Sequence, residues 1–256
     1  MFEFYNQFYH AAPASAAHAQ FCRQVFGMDL CQHGFAGTGQ LDALLAAAAV
    51  RPGHHLLDVG CGNGLIAEYL AERSGACVSG LDFAPEAIHQ ATTRTQAKAD
   101  RLTFFVGDIN DLHLPPGAYD VIVSIDSIYF SQDYAETIRA FKQALRPGGR
   151  LAIYYSFGRE PWVPIEEFPA EQLPAGRTPL AQALHANDLP FVTLDFTADD
   201  YRLANRRKYV LELLRGEFEA EGNLFLYENR MGDAEGISQA IQQGLHRRYL
   251  YIATAP

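Results

Sequence analysis

A doubly wound α/β fold is predicted for this 256-residue chain by three observations. Apolar runs recur at regular distances from residue 55, stretches of helical period separate them, and three alternating glycines mark one strand-to-helix turn at 60–64. The runs are continuously apolar, which indicates strands covered on both faces and hence a parallel sheet. Strand and helix alternating in this way imply right-handed βαβ crossovers, with ligands bound beyond the carboxyl ends of the strands. At 48% hydrophobic, the chain can bury one large core.

In chain order, "GQLDALLAAAAV" puts Leu41, Leu44, Leu45 and Ala48 on one helical face, and Pro52-Gly53 breaks it. Strands are expected at 55–60, 77–82, 102–108, 119–126 and 150–156. Helices are expected over "LIAEYLAERS", over "PEAIHQATTRTQA" with Pro85 in its first turn, and over "DYAETIRAFKQAL", closed by Pro147-Gly148-Gly149. Two further strands are read at 191–197 and 248–254. Residues 198–246 between them are helical and polar on one side, too long for a loop, and are expected to form an inserted cap. Residues 1–37 precede the main domain, 38–256.

The net charge of −10 gives no general attraction to nucleic acid or anionic lipid. Arg206-Arg207-Lys208 and Arg247-Arg248 read as solvated helix or strand ends. Cys22, Cys31, Cys61 and Cys77 form no CxxC pair and read as reduced thiols. The amino terminus has no basic region followed by an apolar stretch, and no window is apolar enough to span a bilayer. A cytoplasmic protein without nucleic-acid or membrane partners is expected.

"LLDVGCGNG" (56–64) carries the chemistry. Gly60, Gly62 and Gly64 allow a sharp turn and close approach of a ligand to the backbone. A dinucleotide fingerprint would carry a glycine where Leu65 stands, and Asp58 just before the loop repels a pyrophosphate but suits a positive centre. The second strand ends in Asp82, placed to accept from ribose hydroxyls. The third ends in "VGD", with Asp108 at its tip.

In order and spacing these segments resemble the motifs of class I S-adenosylmethionine-dependent methyltransferases: "LLDVGCGNG", "GLDFAPEAI", "FFVGDINDL", "YDVIVSIDSIYF" and "LRPGGRLAIYY". The resemblance spans residues 38–156. It implies a Rossmann-like, seven-stranded sheet whose last strand is antiparallel, with helical cap and lid segments. It also implies S-adenosyl-L-methionine as cofactor and S-adenosyl-L-homocysteine as product. By the same resemblance Gly60, Cys61 and Gly62 line the methionine part and Asp58 sits near its ammonium group. Asp82 holds the ribose, Phe83 packs on adenine, Asp108 and Ile109 meet the adenine edge, and Ile125 and Asp126 border cofactor and substrate.

The fourth motif, "SIDSIYF", has neither the Asp/Asn-Pro-Pro-Tyr of amino-methylating DNA enzymes nor a Pro-Cys nucleophile. A small-molecule acceptor is therefore expected, with nitrogen favoured over oxygen or carbon. No metal set like that of catechol methyltransferases can be assigned, so metal-free transfer is expected. "QHGF" (32–35) is similar to a His-Gly-aromatic segment of sterol and tocopherol methyltransferases, which makes Tyr5, Tyr9 and His33 candidates to face the site; for Tyr5 and Tyr9 packing on the sheet is the alternative. Asp126, Tyr129 and His33 are the candidates to accept or relay a proton, and Tyr155 and Trp162 to form an apolar wall. Tyr129 and Tyr155 could equally be core. Residues 1–37 and the cap are expected to act as a lid, and the protein to be a monomer or homodimer. An NAD(P)-dependent oxidoreductase and a cofactor-binding protein without turnover are the alternatives.

Overall fold

The computed structural model describes residues 2–160 and 162–256. Strands β1 (His55–Val59), β2 (Cys77–Asp82), β3 (Leu102–Val106), β4 (Tyr119–Ile125), β5 (Leu145–Gly158), β6 (Phe191–Asp195) and β7 (His246–Thr254) form one sheet in the order β3-β2-β1-β4-β5-β7-β6. β7 runs antiparallel to both its neighbours, and the other pairings are parallel. This is the Rossmann-like sheet expected from the sequence, with its last strand reversed.

Side chains alternate across a strand, so a continuous apolar run feeds two cores at once. Leu57, Ile122, Ile153 and Tyr155 point to one face, under α6 (Tyr134–Ala144) and α7 (Pro179–Ala186). Leu56, Val121, Tyr154 and Leu250 point to the other, under α3 (Thr38–Ala47) and α4 (Leu65–Ser74). A third core joins α1 (Phe2–Ala11) and α2 (Ala16–Phe26) to two long helices, α8 (Thr197–Ala220) and α9 (Leu224–Gln242), through Phe8, Phe21, Leu211, Phe218 and Leu226.

Local chemistry sets the helix ends. Gly64 enters α4 and Gly75 leaves it, both left-handed. Pro85 opens α5 (Pro85–Arg94), Asp133 caps α6 by accepting from the amides of Ala135 and Glu136, and Ser15 caps α2 through the amide of His18.

Three expectations change. Pro147-Gly148-Gly149 does not close a helix but lies within β5, which begins at Leu145 opposite Tyr119; a register shift between Tyr119 and Val121 absorbs the turn. β3 stops at Val106 instead of 108, and β6 at Asp195, because Thr197 already starts α8. The third concerns the two basic clusters. Arg207 and Arg248 are fully buried rather than solvated. Alternation along β7 sends Arg247 and Arg248 to opposite faces, so one of the two had to turn inward. Arg207 is turned in by α8, with its guanidinium 4.0 Å from the Phe35 ring centre.

Candidate active site

β1 delivers Asp58 and then a loop in which Gly60, Gly62 and Gly64 have φ of 79°, 56° and 75°. Those values favour glycine, and so does the crowding. A Cβ at 60 would collide with Ser127, and one at 62 with the Tyr9 hydroxyl. Asp82, at the tip of β2, fixes the loop: one carboxylate oxygen accepts the Gly62 amide at 2.8 Å and the other the Ala84 amide at 2.9 Å. Tyr5, Tyr9, Cys61, Phe83 and Ile125 surround the same spot, leaving a cavity of about 80 Å³.

Asp58 lies buried behind the loop, and its Oδ2 has no hydrogen-bond partner. Burial, and then the nearby charge of Asp82, push its carboxyl up to about 7. A carboxylate so placed, with no ion pair to it among the described residues, is prepared for a positive group brought by a ligand.

Asp126 leaves β4 with φ of 55°. Both of its oxygens accept from the Arg248 guanidinium, and Oδ2 also accepts the Phe35 amide at 2.7 Å. Gly34 is packed so closely on this carboxylate that no side chain fits there. Arg248 in turn reaches Asp200 of α8 at 3.2 Å and stacks over Tyr154. Burial works against its charge, but Asp126 and Asp200 outweigh burial and hold it above the usual arginine range.

Tyr5 lies 3.4 Å from Nδ1 of His33. Burial, together with Arg230 and Arg207, lowers the His33 imidazole well below its ordinary value, so it is neutral near pH 7. Arg230 holds the segment from behind, donating to the carbonyls of Gln32 and His33 at 3.0 and 2.9 Å. The Tyr129 hydroxyl accepts the Ser156 amide, and its ring stacks on Tyr155 at 5.4 Å.

A second, wider chamber of about 840 Å³ opens beyond, and Tyr5, His33, Gly34, Asp126 and Phe130 are common to both cavities. Tyr129, Tyr155 and Trp162 line this chamber. Asp108 and Ile109 are not brought to the glycine-loop cavity. Asp108 is exposed and closes a turn onto Asn110, and Ile109 is buried in the core beside a separate groove. Sequence reading missed Arg207, Arg230 and Arg248, and Asp200 with them. For Arg248 the strand alternation was the available signal.

Residues 56–149 match the family of methyltransferase domains. This stretch, under half of the chain, is similar to methyltransferase domains. Over 148 residues the chain is 34% identical to phosphoethanolamine N-methyltransferase 1 of Arabidopsis thaliana, covering 57% of this chain and 29% of that protein. Phosphoethanolamine N-methyltransferase 2 of Haemonchus contortus, solved with phosphomonomethylethanolamine and S-adenosylhomocysteine, superposes with a TM-score of 0.69 at 20% identity, covering 98% of this chain and 60% of that one. A geranyl diphosphate methyltransferase solved with S-adenosylmethionine gives 0.68 at 18% identity, over 96% and 95%. The chain thus spans less than a third of the Arabidopsis relative's length.

The state of Asp58 is open to measurement. An aspartate of ordinary value 3.8 raised to about 7 holds its proton more tightly when folded, so between those pH values stability falls as pH rises. Urea unfolding of Asp58→Asn is expected to show a variant more stable than the parent by on the order of a few kcal/mol at about pH 8, with the advantage gone near pH 4. A difference that does not change with pH would contradict this.

Proposed function

We propose that this protein transfers a methyl group from S-adenosylmethionine to a small-molecule acceptor, with nitrogen favoured over oxygen or carbon. The observation that carries the proposal is Asp58, a buried carboxylate whose Oδ2 makes no hydrogen bond, set behind a glycine loop that Asp82 braces. When bound, S-adenosylmethionine supplies an electrophilic methyl on a positively charged sulfur. Its methionine ammonium group suits Asp58, and its ribose suits the remaining lone pairs of Asp82. Tyr9, Gly60, Cys61, Gly62, Phe83 and Ile125 complete the donor site. Asp108 and Ile109, just beyond the end of β3, are assigned the adenine edge. The relatives named for N-methylation support nitrogen as the acceptor atom.

The chain's own contribution is position and dryness. The junction of the two cavities, at Tyr5, His33, Gly34 and Asp126, is where the acceptor in the wide chamber meets the donor. There Asp126 is a positioning residue, because Arg248 and the Phe35 amide occupy its oxygens. His33 is neutral and holds the Tyr5 hydroxyl. Tyr129 shapes the acceptor wall. We assign the protein a monomeric or homodimeric state in the cytoplasm and no nucleic-acid partner; among the described residues no helix is long and apolar enough to cross a membrane.

Tyr5 and Tyr9 of α1 stand over the glycine loop and line its cavity. In this reading α1 lifts to admit the donor. Residues 1–37, with α8 and α9 beneath them, act as the lid.

S-adenosylmethionine or S-adenosylhomocysteine at a hundredfold excess over Kd should stabilise the fold by about 2.7 kcal/mol, a rise in melting temperature of roughly 5–10 °C, and NADH should give none. A shift with NADH alone would overturn the proposal. Hydrogen exchange tests the lid: amides of residues 3–11 and 29–36 should gain protection when S-adenosylhomocysteine is added. Full protection before addition would rule the lid out.

A further inference from the structure

Rings make up much of the wall of the wide chamber. Tyr129 stacks on Tyr155 at 5.4 Å, Tyr134 meets Tyr155 edge-on at 5.9 Å, and Phe157 continues the stack at 6.5 Å. Trp162 stands at the mouth, 78% exposed.

The guanidinium groups lining the chamber are partly engaged by the chain, with Nε of both Arg159 and Arg248 making no hydrogen bond among the described residues. Arg248 binds Asp126 and Asp200, and Arg159 donates to the carbonyls of Glu160 and Val163 at 3.5 and 2.5 Å. Asp233 lies 3.6 Å from Arg207. Glu160 faces the chamber with His246 and Asp233 as its titratable neighbours. Burial, with Asp233 adding and His246 opposing, holds the Glu160 carboxyl above the usual range, as expected of an acid short of cations.

We infer that the acceptor is an organic amine with an apolar body and no phosphate or carboxylate, selected by Glu160 and the ring faces of Tyr155, Phe157 and Trp162. This rests on the methyl-transfer reading for the reaction, while the recognition stands on the chamber. Ring faces and a carboxylate attract a positive nitrogen and repel an anion.

The reacting end of the chamber points the same way. A hydroxyl acceptor must give up a proton, yet no group at the junction is poised to take one. Asp126 is occupied by Arg248, His33 is held low, and the Tyr5 and Tyr129 phenols are pushed above their ordinary value, chiefly by desolvation. A tertiary amine has no such need. One carbon–nitrogen bond forms as the donor's carbon–sulfur bond breaks, the positive charge passes from sulfur to nitrogen, and no proton is released. The developing ammonium is what the rings and Glu160 favour.

The test is calorimetry on protein saturated with S-adenosylhomocysteine, titrated with phenethyltrimethylammonium, with its neutral carbon isostere (3,3-dimethylbutyl)benzene, and with phosphocholine. The first should bind about tenfold more tightly than either of the others. Glu160→Gln should weaken it roughly three- to tenfold and leave the isostere's affinity unchanged, a charge-selective loss that a merely structural role would not produce. Equal or tighter binding of phosphocholine or of the isostere would overturn the inference, as would no binding of the ammonium compound at millimolar concentration. If S-adenosylhomocysteine itself fails to bind, the methyl-transfer reading fails, and the same titrations without it still decide the recognition.

Discussion

The buried pairing of Asp126 with Arg248 is the interaction on which both cavities depend. It joins the tip of β4 to β7, takes in the Phe35 amide, and reaches α8 through Asp200. Sheet, cap and amino-terminal segment therefore meet at one carboxylate. Burying two such charges is costly, and their attraction offsets the cost only when the remaining donors and acceptors are filled. Here the Phe35 amide, the Ser156 hydroxyl and the face of Tyr154 meet part of that demand, while Arg248 Nε and the Asp200 oxygens hold each other by charge without a hydrogen bond. The left-handed backbone at Asp126 and the bare Gly34 against it are the local concessions.

The glycine loop obeys a second constraint, that of space. Ser127 lies against Gly60, Tyr9 against Gly62, and the side chains of Phe104 and Ala91 against Gly64, so the loop is clamped from every side. Asp82 adds two backbone hydrogen bonds to the clamp. A rigid loop facing α1 fits the proposed division of labour, in which the sheet end holds geometry and α1 controls access. The wide chamber is different in kind. Much of its wall comes from the end of β5, the segment after it, and α9, and of these only β5 carries one of the five motifs.

The sheet was legible because a parallel sheet demands continuous apolar runs, and these stand out between glycine-rich turns. Asp58, Gly60, Gly62 and Asp82 were legible for a related reason: each sits at a strand end fixed by the sheet's geometry. What escaped depends on contacts between segments far apart in sequence. Arg248 meets Asp126 across 122 positions and Arg230 meets His33 across 197, and no local period announces such a meeting. Local pattern equally could not show that β3 ends early enough to leave Asp108 in solvent, or that Pro147-Gly148-Gly149 continues into a strand. Glu160 lies in an irregular stretch where helix and strand periods are both absent, whereas Tyr155 and Trp162 of the ring wall were legible as an apolar wall.

A double-mutant cycle on Asp126→Asn and Arg248→Met, followed by urea unfolding and by S-adenosylhomocysteine affinity, tests the central tie most directly. Each single change should cost about 3–5 kcal/mol, because it strands the other partner in the interior, and the double change should cost clearly less than the two together. The singles should also weaken S-adenosylhomocysteine binding, since the wall shared by the two cavities would shift. Losses that simply add, with affinity unchanged throughout, would show that the pair is not what holds this site together.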